Sequence, residues 1–147
     1  MAARRALATL SAMPSDVRHP TSSAAWTRLA MAADALARDA SSLVALLAKA
    51  GPDAPAPTEQ RLVASARAAD AATVVIELLA PLPDLAQHAR AALRFRSALL
   101  SWHGAVLESS PYELRFQAAL MQHAAPLLTS ALHLATLAHE ERSRQQE

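Results

Sequence analysis

The order of apolar and polar residues predicts an α-helix from just after Pro20 to Gly51. Apolar side chains return at alternating steps of three and four residues, which is the spacing of one buried helix face. Thr21, Ser22 and Ser23 are candidate N-caps, and the glycine ends the pattern. The predicted buried face consists of Trp26, Leu29, Ala33, Leu36, Ala40, Leu43, Leu47 and Ala50.

A second helix is predicted from Thr58 to Ala80, after the proline-rich linker 51–57, which cannot be helical throughout. Its second half, residues 71–80, is apolar on nearly every side, which is typical of a helix between neighbours. Glu77 is the acid in this half. We expect it to face an arginine of the next helix or to reach water.

A third helix is predicted to run from Asp84, a candidate N-cap, toward Ser109. Its apolar face follows the same alternation of three and four residues. Because His88 falls on this face, we expect a hydrogen-bonded core histidine there. The predicted face consists of Leu85, His88, Ala92, Phe95, Leu99, Trp102 and Val106.

A fourth helix follows residues 110–113, Ser-Pro-Tyr-Glu, which form a capping-box sequence with proline at the first helical position. Pro126 is expected to kink this helix or to split it in two. The charged residues 142–147 are expected to fray into solvent. The predicted buried face consists of Leu114, Ala118, Met121, Ala125, Leu128, Leu132 and Ala135.

These segments predict one all-α domain over residues 24–141, a bundle of four to five mostly antiparallel helices. Residues 1–23 are predicted as a disordered or targeting arm. They contain three arginines and a single acid, a composition that resembles a mitochondrial transit peptide. Residues 142–147 form the predicted frayed tail.

Composition excludes several classes of function. The 147 residues include two glycines and no cysteine, so glycine-rich phosphate loops, disulfides and thiolate chemistry are excluded. The net charge of +1 does not point to a nucleic-acid partner. No apolar stretch reaches the roughly 20 residues that a membrane span requires.

Catalytic and metal chemistry are not predicted either. The six histidines include no pair at i, i+4, the spacing of helical zinc ligands. Most acids are placed to pair along helices, as Asp34 does with Arg38. We therefore expect a non-enzymatic protein without a metal or a cofactor.

The third predicted helix carries a candidate partner-binding cluster. Residues 85–107 include no acid, whereas Arg90, Arg94 and Arg96 lie close together. Guanidinium groups in this arrangement could bind an acidic helix, an acidic tail or a phosphate. The alternative is pairing inside the bundle with one of the acids Asp34, Asp39 or Glu77.

Several segments together carry a family resemblance. Trp26, Arg28 and Leu29 are followed by Arg-Asp-Ala-Ser-Ser-Leu at residues 38–43. Ala-Pro-Thr-Glu-Gln follows at residues 56–60, then an aliphatic run and Ala-Val-Leu-Glu-Ser-Ser-Pro. Over residues 24–111 the chain resembles the N-terminal domain of the cyclin-D-binding protein family, the GCIP family.

The resemblance implies an all-α protein without enzymatic activity that regulates cyclin-D-dependent cell-cycle signalling negatively, in nucleus and cytoplasm. It implies contacts with cyclin-D-like or helix-loop-helix proteins and no DNA-binding basic region. The family's acidic C-terminal region is reduced here to residues 138–142 at most, which puts partner binding by that region in doubt. The alternative is a small helical scaffold subunit of a mitochondrial assembly, delivered by the arginine-rich N-terminus. A homo-oligomer stays open in either case.

Overall fold

The computed structural model describes residues 22–49 and 56–146. These residues form four α-helices, α1 (Ser23–Lys49), α2 (Thr58–Leu79), α3 (Ala86–Leu107) and α4 (Glu113–Gln146). Helices α1 and α3 each pack against both α2 and α4, so the four helices form a ring with α1 diagonal to α3. The predicted all-α bundle is therefore confirmed.

Contacts between side chains show that neighbouring helices are antiparallel. Thr73 lies late in α2 and accepts a hydrogen bond from Arg96, which lies in the middle of α3. Ser65, near the start of α2, bonds His103, near the end of α3. Helices α2 and α3 are therefore antiparallel. Trp26 at the start of α1 and Leu137 near the end of α4 line one cleft with Leu82, which follows α2, and Leu85, which precedes α3, so the other sequence neighbours are antiparallel as well.

Helix α1 begins at one of its three candidate caps. The Ser22 hydroxyl oxygen accepts a hydrogen bond of 3.1 Å from the backbone N–H of Ala25, so Ser22 is the N-cap. All seven described positions of the predicted face are buried, which confirms the pattern. Thr21, Ala50, Gly51 and most of the linker and N-terminal arm lie outside the described residues.

Helix α3 begins differently from the prediction. Asp84 is not its N-cap, because a turn of 3-10 helix, Pro83–Leu85, leads directly into α3 and contains Asp84. The side chain of Leu82 is buried under this turn, and its carbonyl accepts the Leu85 N–H at 3.0 Å. Burial of the leucine thus decides where the helix starts. The predicted face of α3 is confirmed, with its first two positions half-buried.

The turn between α3 and α4 places a serine in the left-handed region. Ser109 has a φ of 51°. Its N–H bonds the Val106 carbonyl at 3.2 Å, while the Ser110 N–H bonds the Ala105 carbonyl at 2.9 Å. This pair of bonds is a Schellman motif, in which glycine usually holds the left-handed position.

The capping box forms only in part. The Ser110 hydroxyl oxygen accepts a hydrogen bond of 3.1 Å from the Tyr112 N–H. The Ser110 N–H is already bonded to Ala105, so Glu113 has no capping donor to reach back to. Its carboxylate binds Arg61 of α2 instead.

The predicted buried face of α4 is wrong by one residue. Leu114 and Leu132 are 64% and 60% exposed, and of the predicted positions only Ala135 is buried. Residues 117–138 contain no charged side chain, so two adjacent apolar stripes share the same spacing and the pattern does not distinguish them. The buried positions are Leu120, Ala124, Leu127, Ser130, Ala131, Leu134, Ala135 and Ala138.

Helix α4 also continues through both expected interruptions. Pro126 does not split it. The proline and Gln122, whose carbonyl loses its helical donor, are both exposed, so water can satisfy this carbonyl. The helix extends to Gln146 rather than fraying at residue 142, and an ion pair between Glu141 and Arg144 bridges its last turns.

Candidate interaction surfaces

The structure separates the three arginines of the predicted partner-binding cluster. Arg90 and Arg94 are exposed on the same side of α3. Arg96 is half-buried, and its Nε donates a hydrogen bond of 2.7 Å to the Thr73 hydroxyl oxygen. Arg96 therefore holds α3 to α2, and the other two remain on the surface.

The proposed internal partners of these arginines lie elsewhere. Asp34 approaches His139 of α4 at 3.2 Å, and Asp39 approaches Arg38 at 3.5 Å. The expected pair of Asp34 with Arg38 is therefore not formed. Glu77 is exposed, as one of its two predicted environments required. The two aspartates belong to α1, the helix diagonal to α3, so α3 arginines point away from them.

Three leucines form a row beside the exposed arginines. Leu93, Leu100 and Leu107 are 52%, 44% and 61% exposed and lie seven residues apart, so two turns separate each from the next on one side of α3. Ser97 and Gly104 lie between them. We call these five residues the α3 leucine face. The face predicted to be buried in α3 does not include these leucines, although their seven-residue spacing is visible in the sequence.

A second apolar surface lies on α4. It is the face that the sequence pattern predicted to be buried, without Ala135, and we call it the α4 outer stripe. Leu114 and Leu132 are its most exposed residues, while Met121 and Leu128 are half-buried. It lies beside α1, since His139, seven residues beyond Leu132, contacts Asp34. The stripe consists of Leu114, Ala118, Met121, Ala125, Leu128 and Leu132.

The histidine predicted for the core is hydrogen-bonded, as expected. His88 Nδ1 shares a hydrogen bond with the hydroxyl of Ser130, which is buried in α4. The ring of His133 meets His88 edge-on at 6.2 Å between centroids. Burial lowers the pKa of His88, and the nearby His133 lowers it further. No local sequence pattern predicts this pair, because 45 residues separate its members.

Two further buried polar residues hold helices together. Arg61 is buried and binds Glu113, with further hydrogen bonds to Thr58 Oγ1 at 3.2 Å and to the Ala56 carbonyl at 3.0 Å. Ser65 is likewise buried and bonded to His103. Sequence reasoning missed these residues. Within residues 22–49 and 56–146, no three His, Asp or Glu side chains are grouped so that they could hold a metal ion.

A cleft at the end of the bundle where α1 begins is too small for an ordinary ligand site. Its volume is about 210 Å³, below the roughly 300–1,000 Å³ of typical small-molecule pockets. Apolar side chains form most of its wall, and no buried acid points into it. The lining residues are Trp26, Leu82, Pro83, Asp84, Leu85, Leu137 and Glu141.

The described helices do not include one with the length and apolar character that a bilayer span requires. Comparison with known proteins gives no relative, since no protein-family model, curated protein or solved structure matches this chain.

Proposed function

We propose that this protein is a non-enzymatic helical adaptor that acts by protein–protein contact, like the cyclin-D-binding proteins that residues 24–111 resemble. Its role would lie in cell-cycle regulation, in cytoplasm and nucleus. The α4 outer stripe is the observation that carries this proposal. It is an apolar helix face with the spacing of a packing surface, and the bundle leaves it exposed.

The stripe has the length that a helical partner needs. Leu114 and Leu132 are 18 residues apart, which corresponds to about 27 Å along the helix. A partner helix laid along α4 would cover both leucines and the alanines between them. Covering apolar surface contributes about 25 cal/mol per Å², so burial of the stripe alone provides a substantial driving force.

The chemistry of the stripe also selects the class of partner. Residues 117–138 carry no charge, so nothing along most of α4 would attract an ionic surface. Exposed Gln122, Thr129 and Thr136 follow the stripe and can bond polar groups at its rim. The expected partner is therefore an amphipathic helix that presents its apolar face. Cyclin-D-like and helix-loop-helix proteins, the partners implied by the resemblance, are both helical.

The placement of the buried polar side chains supports a non-enzymatic role. Arg61, Ser65 and Ser130 are each bonded to a residue of another helix. Ser65 and Ser130 each share a hydrogen bond with a histidine, but both serines are buried and neither lines the cleft at the start of α1. A catalytic site would need such a pair next to a substrate-sized cavity.

The test is a titration of the full chain with a D-type cyclin and, separately, with a helix-loop-helix protein. We expect Leu132→Arg to weaken binding by at least about tenfold, because it places a charge in an apolar contact. Val74→Arg, at an exposed apolar residue of α2, the helix diagonal to α4, is the control and should leave binding unchanged.

Absence of binding by the unaltered chain would overturn the adaptor assignment for these partners. Equal loss in both variants would overturn the assignment to α4. Recovery of the protein from cells in a mitochondrial assembly, with a processed N-terminus, would support the scaffold alternative instead.

A further inference from the structure

We propose that the α3 leucine face joins two copies of this chain, which pair antiparallel about Leu100. The face is self-complementary in its leucines, its charges and its small residues. It lies on α3 next to α2, whereas the α4 outer stripe lies next to α1, so the pairing does not depend on the proposed adaptor function.

The leucines are placed symmetrically. Leu93 and Leu107 are each seven residues from Leu100, or about 10.5 Å along the helix on either side. In an antiparallel pair with a twofold axis at Leu100, this residue meets its own counterpart. Leu93 of each copy then meets Leu107 of the other, so all six exposed leucines are covered.

The charges are placed by the same symmetry. Glu108 lies eight residues after Leu100, whereas Arg94 and Arg90 lie six and ten residues before it. Glu108 of one copy therefore falls between the two arginines of the other. Arg90 and Glu108 are 18 residues apart, five full turns, so they flank the leucines on the same side. A twofold axis perpendicular to both helices places this side of one copy next to the same side of the other, so the opposite charges meet.

Within the described chain no acid pairs with Arg90 or Arg94 and no cation pairs with Glu108, so all three are available. An acidic helix of another protein would pair with Arg90 and Arg94, but its negative charges would also lie close to Glu108. A second copy uses all three groups, which is why we favour it as the occupant of this face.

A glycine supplies an independent observation. Glycine inside a helix costs about 1 kcal/mol relative to alanine, yet Gly104 sits in α3 one turn from Leu100. A Cβ placed on Gly104 would meet no atom within 4 Å, so the chain's own packing does not require a glycine there. In the proposed pair Gly104 faces Ser97 of the second copy, and two small residues allow the backbones to approach closely.

Helix α2 adjoins the proposed contact. Arg96 and His103, on either side of Leu100, both bond α2, so α2 runs beside the leucine row. A second copy placed on the leucine row would therefore lie against α3 and the neighbouring side of α2.

The experiment measures the mass of the full chain by sedimentation over a range of concentrations. We expect a dimer that Leu100→Glu converts to a monomer of unchanged helical content. Gly104→Ala should weaken dimerisation by at least about tenfold, while it raises the denaturant concentration at which the monomeric Leu100→Glu background unfolds. Both effects of one methyl group are predicted only if the glycine serves the contact between copies.

Charge exchange tests the pairing directly. Glu108→Arg in one chain and the double change Arg90→Glu with Arg94→Glu in another should each prevent self-association. A mixture of the two should form a heterodimer. Leu132→Arg on α4 should leave the dimer intact, so loss of partner binding and loss of dimerisation are separate results.

A wild-type chain that stays monomeric up to about 100 µM would overturn the proposal. So would a dimer that survives Leu100→Glu, or variants of opposite charge that fail to pair. Binding of an acidic helical peptide to a monomeric chain would assign the arginines to another protein instead.

Discussion

Helices α1 and α4 pack against each other along the bundle, but their sequences specify that packing to different degrees. In α1, charged residues such as Arg28, Asp34 and Arg38 lie off the predicted apolar face, and every described position of that face is buried. In α4, residues 117–138 include no charge, and two apolar stripes run side by side. The sequence pattern of α1 therefore indicates which face is buried, and the pattern of α4 does not.

Spacing alone therefore does not determine how an apolar helix is rotated about its own axis. In α4 the rotation is set by contacts with residues of the other helices. One polar contact joins α4 to each of them: Glu113 binds Arg61 of α2, Ser130 binds His88 of α3, and His139 binds Asp34 of α1. Turning α4 by one residue would remove these bonds and leave buried polar groups unpaired.

Two leucine substitutions test which apolar stripe α4 buries. Leu127→Ala deletes a buried leucine and should lower the free energy of unfolding by about 2–5 kcal/mol. Leu132→Ala, at an exposed leucine of the same helix, should change it by less than about 0.5 kcal/mol. Urea unfolding followed by circular dichroism gives both values. Comparable losses in the two variants would mean that α4 does not bury the face described above.

The same substitution in α1 completes the comparison. Leu36→Ala removes a fully buried leucine at a position where the sequence pattern was sufficient. We expect it to cost about as much as Leu127→Ala, again about 2–5 kcal/mol. The loss of free energy of unfolding depends on how deeply the leucine is buried, and not on how clearly the sequence pattern predicts that burial.

Much of the fold follows from local sequence, because caps, prolines and apolar spacing act within a few residues. An N-cap within residues 21–23, the start of α2 near Thr58 and the hydrogen-bonded His88 were all predicted. The rotation of α4, the Arg61–Glu113 pair and the His88–His133 contact were not. Each depends on contacts between residues that are far apart in sequence and come together only in the folded bundle. The arginine cluster was predicted as a unit, and the bond from Arg96 to Thr73 divides it.

A smaller effect is expected where α4 is fixed at its start. Glu113→Ala removes the anion that faces the buried Arg61 guanidinium. A hydrogen bond to a charged group contributes about 1.5–3 kcal/mol, so we expect a loss of free energy of unfolding in that range. Glu140→Ala, at an exposed acid of the same helix, is the control. If the two changes cost the same, the Arg61 pair does not determine how α4 lies.

The contact at the middle of α4 predicts a pH dependence. Burial lowers the pKa of His88 in the folded chain relative to about 6.5 in the unfolded chain. The unfolded chain therefore takes up its proton first, and stability falls as the pH decreases from about 6.5 toward the lowered pKa. His88→Gln, which can still bond Ser130, should show a smaller loss between about pH 7.5 and 5.5. An identical loss in both proteins would exclude His88 as the cause.

The turn between α3 and α4 is expected to contribute little to stability. Ser109→Gly relieves a left-handed backbone position and should raise the free energy of unfolding by about 0.5–1 kcal/mol. Ser101→Gly, at an exposed position inside α3, should lower it by about 0.5 kcal/mol. A gain in stability from Ser109→Gly and a loss from Ser101→Gly would show that the backbone conformation of the position decides the effect of glycine. A gain at Ser109 that leaves the Glu113→Ala loss unchanged would further show that the turn only connects α3 to α4, while contacts between helices set the rotation of α4.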